Sequence, residues 1–232
     1  MSRLVKLLIG VGIAVVVLAG VAVAGWYFFL KSDAEPRVEL EKTPVATGAE
    51  AGNVDGTYTV APGNVDNVVG YRVTEKLAFN VAESDATGRT SDVNGTLTIN
   101  GTTANDVEVT ANVQTLKSDQ DRRDNAIKDR GLETNKFPEA KFVLTEPIDF
   151  GAAPQAGETV TATAAGDLTL HGVTKSVSIP VEAVWDGGSN IQIKGNLPIA
   201  FSDYDIEAPS IGGFVEVQDR GEMEFLQFFR KS

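Results

Sequence analysis

From Val93 to Phe229 the chain repeats one pattern, apolar and polar residues in turn, and few folds satisfy it. Val93, Gly95, Leu97 and Ile99 alternate with Asn94, Thr96 and Thr98, and Val107, Val109, Ala111 and Val113 with Glu108, Thr110 and Asn112. The same period of two runs through Val160–Leu170, Val177–Trp185, Ile191–Ile199 and Met223–Phe229. Successive side chains of a strand point to opposite faces, so each stretch predicts an antiparallel strand with one dry and one wet face. Asn100-Gly101, His171-Gly172 and Asp186-Gly187-Gly188 supply the turns. Several one-faced strands must close on themselves or stack in pairs. The expectation is an all-β domain over residues 57–232.

One short helix interrupts the strands. Ser118 as N-cap, Asp119 and Asp121 in the first turn, Lys128 and Arg130 near the end and Gly131 beyond it predict a helix over about 119–129. The dry face also carries many small residues: Gly95, Ala111, Ala162, Ala164, Gly166, Ala183 and Gly195. In a closed sheet they leave room for a ligand, or they accommodate bulky neighbours such as Trp185 and Phe201; the pattern alone admits both.

Residues 1–31 read as a transmembrane anchor with a short cytoplasmic N-terminus. Leu7–Leu30 is uncharged and lies between Lys6 and Lys31. As a helix it reaches roughly 36 Å, against a hydrocarbon core of about 30 Å. Ala22-Val23-Ala24 offers a signal-cleavage pattern, but the apolar run continues through Trp26-Tyr27-Phe28-Phe29-Leu30, rings suited to the headgroup boundary. Arg3 and Lys6 precede the run, while Asp33, Glu35 and Glu39 follow it, so the expected arrangement is a single-pass cell-membrane protein with an extracytoplasmic C-terminal domain. Residues 32–56, with Pro36, Pro44, Gly48 and Gly52, read as a flexible linker spanning roughly 25–30 Å as a coil.

Composition narrows the chemistry. The net charge is −12, and residues 1–31 hold three bases and no acid, leaving 17 bases against 32 acids beyond them. Such a surface repels phosphate backbones, which counts against nucleic-acid binding. Without cysteine and with His171 alone, the chain offers no thiol chemistry and no multi-histidine metal site. Ser118–Asp124 lacks the glycine and glutamate of a calcium loop, and Asp203, Asp205 and Glu207 read as a solvated face. His171 reads as an exposed turn residue, and Arg123 and Asp124 as partners of groups near a cavity mouth. No nucleophile–base pair emerges, so an enzyme is not expected and no cofactor is implied.

Thr90–Ser118, Arg123-Asp124, Gly131–Thr134, Phe137-Pro138-Glu139-Ala140-Lys141-Phe142, Gly166–Lys175 with its Leu-Thr-Leu-His-Gly-Val-Thr-Lys hairpin, and Gly221–Phe229 resemble the YceI family over about Asp55–Lys231. The chain departs from it in lacking a histidine near Pro62 and in having Ala126 or Ile127 where members place one after the Arg-Asp pair. The resemblance implies a lipocalin-like antiparallel barrel of about eight strands that encloses a polyisoprenoid or isoprenoid-quinone chain. Strand parity then nominates Tyr71, Val73, Leu97, Ile99, Val109, Ala111, Phe142, Leu168, Ile179, Ile193, Leu197 and Phe225 as tunnel lining. The expected function is a tethered extracytoplasmic lipid-binding protein. The alternative is a structural or adhesive β-module on a stalk, whose protein partner the sequence does not identify.

Overall fold

The computed structural model describes residues 14–22, 33–41, 53–61, 66–77, 82–208, 210–211 and 215–232. Its strands are β1 (Gly56–Val60), β2 (Val68–Leu77), β3 (Ala82–Thr90), β4 (Val93–Asn100), β5 (Thr103–Asn112), β6 (Lys117–Ser118), β7 (Glu139–Leu144), β8 (Ile148–Asp149), β9 (Thr159–Leu170), β10 (Val173–Trp185), β11 (Asn190–Ala200), β12 (Ser210–Ile211) and β13 (Val215–Lys231). Every pairing among them is antiparallel. Residues 14–22 form a helix, α1, and Asp121–Ala126 form α2.

The barrel closes because β1 pairs on one side with β4 and on the other with β13, giving the ring β1-β4-β5-β7-β9-β10-β11-β13. This ring has the eight strands that the family resemblance implied. β13 is long enough for two jobs. Its last residues hold β1 through Tyr58–Lys231 and Val60–Phe229, and its earlier ones hold β2 through Gly221–Val73 and Phe225–Val69. The hairpin β2–β3 therefore widens the end of the barrel on which α2 sits, called the upper end below.

The lower end is filled. Val54, Tyr58, Leu97, Trp185, Ile191 and Phe229 pack into one buried cluster. The polar tips of its two large rings are satisfied: Tyr58 Oη donates to the Val54 carbonyl at 2.8 Å and Trp185 Nε1 to the Gly188 carbonyl at 3.0 Å. A second cluster, Leu168, Ile199, Tyr204 and Ile206, supports the upper wall.

The small residues divide into two kinds. Gly166 lies under the Phe142 ring, Gly195 under the Phe225 ring and Gly88 under the Tyr71 ring, each so closely that an added Cβ would stand 2.4–2.6 Å from a ring atom. These glycines seat aromatic rings instead of leaving space. Ala111, Ala162, Ala164 and Ala183 do leave it, as described below.

Two local expectations change. The helix is shorter than 119–129: α2 ends at Ala126 and continues as a π-helical turn, Ile127–Gly131, with Gln120 in the capping position. Ser118 is not its N-cap; Asp124 reaches back to accept from Ser118 N at 2.9 Å and Ser118 Oγ at 2.7 Å. Residues 33–41, assigned by composition to a free linker, lie against the outside of the barrel. They are held by polar contacts, which a hydrophobic pattern does not register. Most of the apolar run Leu7–Leu30 falls outside the described residues; α1 is its central part, and Val15, Val16, Val17, Leu18 and Val21 are exposed on it. Among the described residues no helix is long and apolar enough to cross a membrane.

Replacing Trp185, 4% exposed, by alanine opens the lower plug and is expected to cost about 3–5 kcal/mol in urea unfolding. A second expectation concerns alkaline pH. Burial first, then the charges of Asp186 and Asp55, push the Tyr58 phenol from its ordinary 10.0 up to about 12. Folding thus favours the protonated phenol, and its contribution is present below pH 10 and lost as pH rises through about 12. Urea midpoints measured from pH 8 to 11.5 should fall above pH 10, and less steeply in Tyr58→Phe.

Candidate functional site

Two apolar cavities lie in line within the barrel. The lower one, about 170 Å³, is walled by β4, β5, β7, β9, β10, β11 and β13, and the upper one, about 120 Å³, extends beneath α2. Val69, Ala140 and Met223 face both. Each is comparable to the roughly 150 Å³ apolar cavity that stays dry and admits benzene in a well-studied case. A ring of six carbons is close in size to a five-carbon isoprene unit. Met223 stands where the two meet, and its unbranched thioether adapts readily to neighbouring shapes.

Of the residues nominated by parity, Tyr71 and Val73 line the upper cavity. Leu97, Ile99, Val109, Ala111, Phe142, Leu168, Ile179, Ile193 and Phe225 line the lower one. Leu197 reaches neither; paired with Met223, it packs in the upper apolar cluster. Parity missed the residues that cap the upper cavity, because they come from irregular segments: Leu116, Ile127, Leu132, Phe201 and Ile206. The extra residue per turn in Ile127–Gly131 belongs with this site, since Ile127 and Gly131 both line it.

The upper cavity has one polar side. Glu75 follows Tyr71 and Val73 on the inward face of β2, and Arg123 enters from α2 above it. The two carboxylate oxygens accept from Arg123 Nε at 2.7 Å and Nη2 at 3.0 Å. Their side chains are only 5% and 4% exposed, and Arg123 also pairs with Asp119. Burial alone would weaken the guanidinium's hold on its proton, but the Glu75 carboxylate more than offsets it, so Arg123 is raised above its ordinary value and stays charged. A carboxylate on the dry face is tolerated because Arg123 pairs with it there. The Arg-Asp pair of the sequence is thus a clamp, Arg123 gripping β2 and Asp124 gripping Ser118. Arg123 does not meet Asp203, which is exposed.

Beside the clamp, the Tyr71 hydroxyl is buried and bonds to no described group. Burial raises its pKa, so it stays a neutral donor. His171 is the other correction. It does occupy the β9–β10 turn, with φ 53°, but its ring is largely buried: Nδ1 donates to the Tyr204 carbonyl at 3.0 Å, Nε2 meets Glu133 Oε2 at 2.9 Å, and Phe137 packs edge-on at 4.5 Å. It ties three upper-end segments together.

A closed eight-stranded antiparallel barrel with an apolar interior and one polar side near its mouth is a lipocalin-like barrel. The YceI-like domain matches residues 58–226, and the chain belongs to that family. A UPF0312 protein of Pseudomonas fluorescens is 35% identical over 104 residues, covering 44% of this chain and 52% of the relative. Another, from Shewanella denitrificans, is 35% identical over 103 residues, covering 43% and 50%. The chain spans about half the length of the curated relatives it matches. Among solved structures, a polyisoprenoid binding domain from Saccharophagus degradans superposes with a TM-score of 0.57 at 14% identity, over 77% of this chain and 99% of that one. Burkholderia cenocepacia BcnA gives 0.51 at 19%, over 70% and 95%. At these identities the likeness is one of fold.

The clamp predicts a particular mutational pattern. Arg123→Met alone leaves the buried Glu75 carboxylate without its partner and should cost about 3–5 kcal/mol, whereas Glu75→Leu leaves Arg123 still paired with Asp119 and should cost less. The double variant should recover most of that loss, because well-packed apolar residues replace such pairs at little cost. Urea unfolding of the two single variants and the double variant measures it.

Proposed function

We propose that this chain is a tethered extracytoplasmic protein that holds an isoprenoid-type chain in its barrel, apolar tail downward and polar end at the Tyr71–Arg123 side. The reading rests above all on the paired apolar cavities, with Tyr71 and the Glu75–Arg123 pair bringing a hydroxyl and a buried ion pair to the lining of the upper one. Each CH₂ withdrawn from water contributes about 0.8 kcal/mol, so a few isoprene units offset much of the entropy of association without a charged contact. The unpartnered Tyr71 hydroxyl suits a neutral oxygen at the head of such a chain, donating to it without a change in charge. The Saccharophagus degradans domain, named for polyisoprenoid binding, supports the ligand class by analogy of fold. The uncharged run Leu7–Leu30 supports the tether, with residues 1–31 as the anchor. No chemical step is assigned.

Ala140 offers the sharpest test because it faces both cavities. The delipidated chain is titrated with a polyprenyl alcohol and its Tm followed. At a hundredfold excess over Kd, binding is worth about 2.7 kcal/mol and raises Tm by several degrees. Ala140→Phe, whose ring enters the space the ligand would fill, should keep the fold and lose most of the rise. An unchanged Tm in the parent chain, or an equal rise in both, contradicts the reading.

A further inference from the structure

We propose that residues 33–41 are a strap that turns the upper mouth of the barrel toward the bilayer, so that the cavity opens at the lipid surface and not away from it. The partner is the membrane from which the Leu7–Leu30 run emerges, and the inference rests on the tethered reading given above.

The strap descends the outer wall in a fixed order. At its start, Asp33 N donates to Asp119 Oδ2 at 2.9 Å, next to α2 and the upper cavity. Glu35 N donates to Thr87 Oγ1 at 2.9 Å on β3, and Arg72 Nη2 of β2 donates to the Glu35 carbonyl at 2.7 Å. Arg89 of β3 bonds the Pro36 carbonyl, and Arg37 pairs through both guanidinium nitrogens with Glu222 of β13. Lys194 Nζ of β11 meets Glu39 Oε2 at 2.7 Å, and Glu41 N donates to Gln192 Oε1 at 2.9 Å, well toward the lower end.

The wall beneath is prepared for this. Glu224, 2% exposed on its side chain, accepts from Arg89 at 2.7 Å and stands 3.5 Å from Arg72, so both arginines are held in place, and the same Nη2 of each also reaches a strap carbonyl. Exposed ion pairs such as Arg37–Glu222 are individually worth little. The bonds to backbone carbonyls fix the strap's register as well, since they read its path and not its side chains.

Chain length then sets the orientation. Leu30, the last residue of the apolar run, is three residues from Asp33, and three residues span at most about 11 Å. A free linker from 31 to 56 would let the barrel tumble in any attitude; the docked strap leaves only that short lead. The end that carries Asp119, α2 and the upper cavity is therefore held against the headgroups, and the end plugged by Tyr58, Trp185 and Phe229 points away. A prenyl chain leaving the bilayer would meet the open end.

The chain's lack of cysteine makes the test direct. Full-length chain carrying Asp121→Cys (upper end, exposed) or Asn100→Cys (lower turn, exposed) is labelled with a donor fluorophore. It is then reconstituted into phosphatidylcholine–phosphatidylglycerol vesicles with a headgroup acceptor. The two sites are separated by roughly 25 Å along the barrel axis, given eleven tilted residues of β11 between the ends. Transfer from position 121 should exceed that from position 100 at least twofold, and Arg37→Glu with Lys194→Glu, which breaks both strap ion pairs and touches neither cavity, should shrink the difference. Equal or inverted transfer in the parent background overturns the proposal, as does a difference untouched by the strap variant or a chain that fails to float with the vesicles. Prenyl-lipid content is assayed on the same preparations. An oriented barrel that carries no lipid sinks the carrier reading and leaves the orientation standing.

Discussion

Closure of the sheet by β13 is the constraint on which the remaining structure depends. One strand of 17 residues pairs with β11 along one edge, and with β1 below and β2 above along the other. The register slips between Val217 and Gly221, where the strand passes the mouth. Without that double pairing β1 and β2 would be open edges, prone to pair with other chains, and the apolar faces of the other strands would have nothing to enclose. Closure also fixes the inward parity of every strand at once, because a slip of one residue would turn its whole apolar set to solvent.

Inside the closed ring, residue size decides what is core and what is cavity. At the lower end aromatic rings meet and fill the section. Midway, glycines let the rings of Phe142 and Phe225 lie flat against the wall, while alanines on β5, β9 and β10 keep the axis open. A core of this kind gives up some close packing, and the loss of contacts is concentrated along one line. That concentration distinguishes these cavities from scattered packing defects. At the top, Arg123 and Glu75 brace one side of the mouth by a buried ion pair that fastens α2 to β2.

What was legible in the sequence follows from what kind of force holds each part. Strands that bury one face announce it by alternation, and Leu97, Ile99, Leu168 and Ile179 fall on the predicted face for that reason. Segments held by polar contacts carry no such period. The strap of 33–41 looked like linker because its partners, Arg72, Arg89, Lys194 and Glu222, lie 35 or more residues away in the chain. His171 looked exposed because a hairpin tip usually is; Glu133, Phe137 and Tyr204 reach it only through the fold. Leu197 shows the limit of parity itself, which gives a face but not whether a side chain on that face meets space or a neighbour.

The central claim is that the space along the barrel axis belongs to a prenyl-type chain. Native mass spectrometry of the full-length protein, purified from its own membranes and followed by lipid extraction, addresses it most directly. The account predicts one apolar molecule per barrel, released on unfolding and built of repeating five-carbon units. Bare protein in every preparation, or a bound molecule with several charges and no long apolar part, would contradict it.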